Sequence, residues 1–246
     1  DAGPDREAGP RPATPLSSEE LVGLCLEAGA DDAGLVSIER EEIAHERDGI
    51  EAAFPRARTL VSFVLRMNPE SIRSPERSLA NLEFHNAGEE VNEVARRLSR
   101  ALQERGIRAL PVSMGFPMEM TRFPGKIWTV SHKTVAVAAG LGRMGIHRNV
   151  IHPRFGNFIL LGTVVTEAEV EGTSRPLDYN PCLECKLCVS ACPVGAIRPD
   201  GYFYFSACYT HNYREFMGGF TDWVETIADR DESRSYRRQV DDGESA

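Results

Sequence analysis

Five of the six cysteines lie between Cys182 and Cys208, four of them in the run Cys182-x-x-Cys185-x-x-Cys188-x-x-x-Cys192-Pro193. No other feature limits the fold as strongly. Thiols this close in sequence must face one another around something. A disulfide framework belongs to short secreted chains. A structural zinc site uses two separated Cys or His pairs, which a continuous run does not supply. A 4Fe-4S cubane needs thiolates that converge on different irons, with the intervening amides free to donate to sulfur. The run therefore predicts a cluster held by Cys182, Cys185 and Cys188. In two-cluster ferredoxins the fourth cysteine of such a run serves the other cluster. The five thiols, with Cys192 and Cys208, suffice for one complete cluster or for parts of two. The two-cluster arrangement is favoured, with the remaining ligands expected beyond Ala246. In the one-cluster alternative, Cys192 or Cys208 closes the site.

The sixth cysteine, Cys25, sits in LVGLCLEAGA and reads as a buried small hydrophobe. Around it the chain alternates helix and strand signals. Ser17-x-x-Glu20 is a capping box before a helix that Gly29 ends. Residues 33–38, 59–67 and 107–114 read as strands, and 155–170 as a strand with a bend at Gly162. Ala87, Val91, Val94, Leu98, Ala101 and Leu102 fall on one stripe of a helix over 83–105, ended by Gly106. MGFPMEMTRFPGK reads as a loop. SHKTVAVAAG is a helix capped by Ser131, and FTDWVETIADR is a further helix. The expected organisation is a tail over 1–15, a mixed α/β domain over 16–175 and a ferredoxin-like domain over 176–246, an α+β fold class. The net charge of −9 over 246 residues argues against a surface that coats nucleic acid. No apolar run approaches the ~20 residues that cross a bilayer, and the start carries no apolar signal core. A reducing, cytoplasmic setting is expected.

A second motif stands upstream: Gly140-x-Gly142-x-x-Gly145 within VAVAAGLGRMGIHRN. The dinucleotide reading needs a strand before the loop, a helix opening at it, and an acidic residue about 20 positions on. Pro153 and Gly156 break any helix, and no Asp or Glu occurs between Gly145 and Glu167. An NAD-dependent dehydrogenase is the weakest of the readings. What remains is a glycine turn followed by His147, Arg148, Asn149 and His152. It reads either as a wall for a large polar ligand or as a tight turn with a solvated basic tip.

The AGLG turn, the strand FGNFILLGTVVT and CxxCxxCxxxCP, in that order, resemble the epoxyqueuosine reductase family, related to the reductive dehalogenases. The resemblance is strongest over 139–197. It implies a nitroreductase-like, corrinoid-binding domain followed by a two-cluster ferredoxin domain. Electrons would pass through the clusters to cobalamin. A ferredoxin or flavodoxin would be the electron donor, and a tRNA the substrate of the tRNA-modifying members. By position, the resemblance makes Cys182, Cys185 and Cys188 ligands of the first cluster and Cys192 and Cys208 ligands of the second. Gly140, Gly142 and Gly145, with His147, Arg148 and Asn149, would lie near the corrinoid. The family's aspartate general acid has no counterpart. A gap-free count places Lys126 there, and no aspartate lies between Thr121 and Asp178. His132 and Lys133 are the nearest ionisable residues for that role. The expected activity is a reductase. The alternative is a ferredoxin-type electron carrier or assembly partner without catalysis.

Overall fold

The computed structural model describes residues 16–115, 129–182 and 185–213. The chain divides into two compact units, Asp1–Leu183 and Glu184–Ala246. In chain order the first unit contains α1 (Ser18–Glu27), β1 (Asp32–Ser37), a 3-10 turn (Glu41–Ile43), α2 (Ala44–Ala53), β2 (Thr59–Arg66), α3 (Pro69–Arg73), α4 (Arg77–Glu104), β3 (Ala109–Val112), α5 (His132–Ala138), β4 (Arg143–Met144), β5 (Val150–Ile151) and β6 (Ile159–Thr166). The second contains α6 (Leu187–Ala191) and α7 (Phe205–Tyr213).

Four strands form one antiparallel sheet in the order β1-β2-β6-β3. Its two central strands are almost wholly buried, as their apolar, β-branched sequences TLVSFVLR and ILLGTVVT require. Alternation divides the side chains between two faces. Leu35, Val61, Phe63, Leu65 and Val164 face one way, packed with Leu21 and Cys25 of α1 and the Val91, Val94, Leu98, Leu102 stripe of α4. Val36, Leu60, Val64 and Val165 face the other way, against α5, Ile43 and Ile50. Pro111 is tolerated because β3 is an edge strand.

The face under α5 is built from small residues. Gly34, Ser62 and Thr163 stand in register on β1, β2 and β6. A Cβ at Gly34 would overlap the Ala139 carbonyl oxygen at the end of α5. At its other end, His132 reaches Thr163. Seven residues of helix are about 10 Å long, close to two strand spacings of about 4.8 Å. The helix therefore crosses β6, β2 and β1 directly over this row. The Ser62 hydroxyl beneath it is buried without a hydrogen-bond partner among the described residues.

The Ser17 and Glu20 side chains form the expected capping box. Cys25 is fully buried, and desolvation pushes its thiol up to about 12. Three expectations need correction. The long helix begins at Arg77 rather than 83, because its first turns lie partly exposed and carry no apolar stripe. The strand expected over 107–114 is confined to Ala109–Val112. β6 runs unbroken through Gly162 without a bend. That glycine is paired with Phe63, whose ring occupies the space a Cβ would take. FTDWVETIADR, and the loop from 116 to 126 including Lys126, lie outside the described residues.

Two substitutions test this packing in thermal or denaturant unfolding. Gly162→Ala drives a methyl into the Phe63 ring and is expected to cost about 1–3 kcal/mol. Ser62→Ala removes an unpaired buried hydroxyl and is expected to be neutral or stabilising. A destabilised Ser62→Ala protein would show that the hydroxyl has a partner after all.

Candidate functional site

The three glycines of GLGRMG fill three different structural positions. Gly140 (φ +72°) ends α5 in a Schellman arrangement: its N–H donates to the Val137 carbonyl (3.1 Å), and that of Leu141 to Ala136 (3.0 Å). The glycine motif thus closes a helix instead of opening one, the reverse of a dinucleotide loop. A Cβ at Gly140 would overlap the Arg175 carbonyl oxygen. At Gly142 it would meet the Ile151 carbonyl, and at Gly145 the His147 ring. All three vacancies are filled by the chain's own atoms.

β4 and β5 pair as a small hairpin whose tip is residues 145–149. The tip is closed by Gly145 N–H to Asn149 O (2.9 Å) and Arg148 N–H to Gly145 O (2.9 Å), with Arg148 left-handed at φ 61°. His147 accepts the Asn149 N–H at Nδ1 (3.1 Å). Burial lowers the His147 pKa, opposed by a hydrogen bond to its own backbone and assisted by the Lys133 charge. Lys133 Nζ reaches across from α5 to the Arg148 carbonyl (2.7 Å) and Asn149 Oδ1 (2.9 Å). His152, just beyond, is buried at 2% exposure. Its Nδ1 accepts from the Arg154 and Phe155 amides, so Nε2 donates to Asp32 Oδ2 (3.0 Å).

Beside the hairpin tip lies a cavity of about 470 Å³. Met67, Phe84, Met114, Ile159 and Leu161 give it apolar walls, and Lys133, Asn149 and Asn157 supply polar groups. His132 also borders it, but both ring nitrogens are engaged. Nε2 donates to the Ser113 carbonyl (2.9 Å), so Nδ1 accepts from the Thr163 hydroxyl (2.8 Å). Burial drives its pKa down, only partly opposed by the Ser113 bond. His132 is therefore held neutral as a bracket between α5 and the sheet, which gives it a structural task in place of proton donation. Lys133 instead fixes the hairpin tip.

In the second unit, Cys185 precedes α6, Cys188 lies on it and Cys192 caps its end. The chain then turns through Pro193-Val194-Gly195 (φ +61°). The Ala196 amide lies 3.2 Å from Cys192 Sγ. Burial would raise that thiol, but the amides of Val194, Ala196, Ile197 and Gly195 outweigh it and hold the thiol below its usual range. An Ile197–Phe203 bridge, with the turn at Gly201, returns the chain to α7, which carries Cys208. Cys182 ends the described part of the first unit, its N–H donating to Asn180 Oδ1 (3.1 Å). Cys25, Cys182, Cys185 and Cys192 form no disulfide. Among the described residues no three Cys, His, Asp or Glu side chains are gathered tightly enough to hold a single metal ion. A cubane makes a looser demand, because each thiolate binds a different iron. The amide-ringed Cys192 sulfur suits a thiolate ligand.

Residues 176–198 match the 4Fe-4S binding domain family. The chain is 27% identical over 158 residues to the epoxyqueuosine reductase of Lactococcus garvieae, covering 63% of this chain and 43% of that protein. The chain is similar to the epoxyqueuosine reductases. It spans less than half the length of that curated relative. An epoxyqueuosine reductase solved with an epoxyqueuosine-modified tRNA stem loop superposes with a TM-score of 0.51 at 17% identity, over 75% of this chain and 54% of that one. A reductive dehalogenase whose structure suggests a mechanism for B12-dependent dehalogenation gives 0.58 at 20% identity, over 79% and 27%. The fold is shared with both, so the first unit is an α+β fold of this group. No described helix is long and apolar enough to cross a membrane.

A depressed folded-state pKa at His132 stabilises the fold above the unfolded value near 6.5, and that stability is lost as pH falls. Acid titration of the melting temperature is expected to show a decline below about pH 6.5. His132→Gln should flatten this decline while lowering stability at neutral pH by about 1–3 kcal/mol through imperfect pairing of Ser113 and Thr163. An unchanged acid profile would mean that His132 titrates normally.

Proposed function

We propose that the protein is an iron–sulfur reductase that passes electrons from 4Fe-4S clusters to a corrinoid, or to a substrate bound directly, in its first module. The observation that carries this reading is a 4Fe-4S sequence at 176–198 joined to an α+β unit with the fold of epoxyqueuosine reductases and reductive dehalogenases. The module boundaries are taken as 16–175, of nitroreductase type, and 176–246, of ferredoxin type. Cys182, Cys185 and Cys188 would hold the first cluster. Cys192 and Cys208 would begin a second.

A corrinoid, when bound, supplies a cobalt centre that takes up electrons one at a time and delivers them to the substrate. The chain's own contribution is positional. The cavity beside the hairpin offers apolar walls that exclude water, with Asn149 and Asn157 as hydrogen-bonding groups at its edge. Lys133 holds the Arg148–Asn149 peptide in place. Gly140, Gly142 and Gly145 set the path of the turn, and His147, Arg148 and Asn149 present its polar tip. With both His132 nitrogens engaged, proton delivery falls to solvent or to another side chain. The acidic chain suits a small substrate better than a tRNA. A ferredoxin or flavodoxin is the class of donor with a matching task.

Anaerobic reconstitution with iron and sulfide tests the clusters. Wild type is expected to gain the broad visible absorption of thiolate-bound iron–sulfur, with about four irons per completed cluster. Cys185→Ser should lose most of it, whereas Cys25→Ser should keep it, whatever its cost in stability. Titrating the reconstituted protein with cobalamin should then change the corrinoid spectrum saturably. No change would leave transfer to a directly bound substrate, or a pure electron carrier, as the reading, and no iron uptake would remove all of these.

A further inference from the structure

The cavity beside the hairpin has a one-sided chemistry. Its described lining contains no Asp or Glu, although the chain has a net charge of −9. Lys133 brings a positive charge to it. Glu83, next to Phe84 of the wall, turns its carboxylate to the Asn68 N–H (2.6 Å). The hydrogen-bonding groups are biased in the same sense. Asn149 Oδ1 accepts from Lys133 Nζ (2.9 Å), and an ammonium can only donate. The oxygen edge of that amide is thereby fixed on Lys133, and its NH2 is the edge Asn149 offers to a ligand. Both nitrogens of His132 are engaged by Thr163 and Ser113. Ser131 Oγ accepts the Thr134 N–H (3.3 Å) and the Thr134 hydroxyl (3.0 Å), which leaves its own O–H to donate. Donors beside a cation take an acceptor, and an anionic one best. The rest of the surface is apolar. Met67 and Met114 adapt to ligands of differing outline, and Phe84 adds a flat face. At about 470 Å³ the space falls within the roughly 300–1,000 Å³ of small-molecule sites.

We propose that this cavity binds a small organic anion, with a carboxylate-like group held at Lys133 and Asn149 and a body that is chiefly hydrocarbon. That this anion is the molecule to be reduced rests on the reductase reading; its binding does not. The two ends of the ligand have separate tasks. Burial of the hydrocarbon body against Met67, Met114 and Leu161 supplies affinity. The donors at the hairpin tip fix its orientation, because an acceptor placed among the apolar walls would lose its hydrogen bonds to water without replacement.

The test is calorimetric titration of the full chain, after reconstitution with iron and sulfide, with octanoate, hexanoate, octanol and octylammonium. Octanoate is expected to bind about ten-fold more tightly than hexanoate, because two more methylenes meet apolar walls. It should also bind about ten-fold more tightly than octanol or octylammonium, which cannot accept charge-assisted hydrogen bonds as an anion does. Asn149→Asp keeps an acceptor for Lys133 and nearly the same volume, but replaces the NH2 donor with a carboxylate oxygen. It should weaken octanoate by about ten-fold and leave octanol unchanged. Asn157→Asp adds a carboxylate to the edge of the cavity without touching the hairpin bonds, and should act in the same direction. Octanol binding as tightly as octanoate would overturn the anion preference. Octanoate affinity unmoved by both aspartate variants would place the binding elsewhere and overturn the site. Displacement of octanoate by cobalamin would give the cavity to the corrinoid and overturn its role as a substrate seat. Iron is counted on the same samples. Octanoate bound, with the expected preferences, by a chain that takes up no iron would sink the reductase reading and uphold the anion site.

Discussion

The first unit depends on how closely α5 can approach the sheet. Gly34, Ser62 and Thr163 form a row with almost no side-chain height, and α5 lies across it from His132 to Ala139. Larger residues in that row would lift the helix by a side-chain layer. The consequences would spread, because α5 holds two other parts in place. Its start carries Lys133, which fixes the hairpin tip, and its end carries Gly140, against which the Arg175 carbonyl is seated. The hairpin tip beside the cavity and the seat of Arg175 are thus set by one short helix on one flat patch. Close packing of this kind transmits displacement instead of absorbing it.

Much of this architecture was legible in the sequence, and the reasons differ by element. The 59–67 strand and the Val91–Leu102 helix stripe were readable because burial demands a periodicity that composition displays directly. The capping box was readable because its hydrogen bonds are local. α2 was missed because AHERDGIEAA buries only Gly49 and Ile50, too little for an apolar face. The β4–β5 hairpin was missed because its strands are two residues each, below any period. Gly162 reads as a bend in the sequence because a glycine in a strand has two explanations. Only the cross-strand register, which brings Phe63 over it, separates them.

The glycine motif shows the same limit in sharper form. A GxGxxG spacing is compatible with a helix on either side of it. Here the helix comes first, and Gly140 supplies the left-handed residue of its C-terminal cap. The failed context (Pro153, Gly156 and the missing acid) was visible in the sequence, so nicotinamide could be set aside there. What the glycines serve instead was not visible, since their neighbours, Arg175, Ile151 and His147, are fixed by tertiary packing. His132 belongs in the same class. A histidine at a helix start is an equally good donor or bracket until Thr163 and Ser113 are found on either side of it.

The cysteine run was informative for the opposite reason. Its spacing encodes the geometry locally, so the short helix, the turn at Gly195 and the amides around Cys192 follow from a few residues without help from the rest of the fold. A turn that aims backbone N–H groups at one sulfur favours the thiolate over the thiol. Metal binding then requires less reorganisation of the backbone, and the main conformational cost lies in bringing the separate thiolates together.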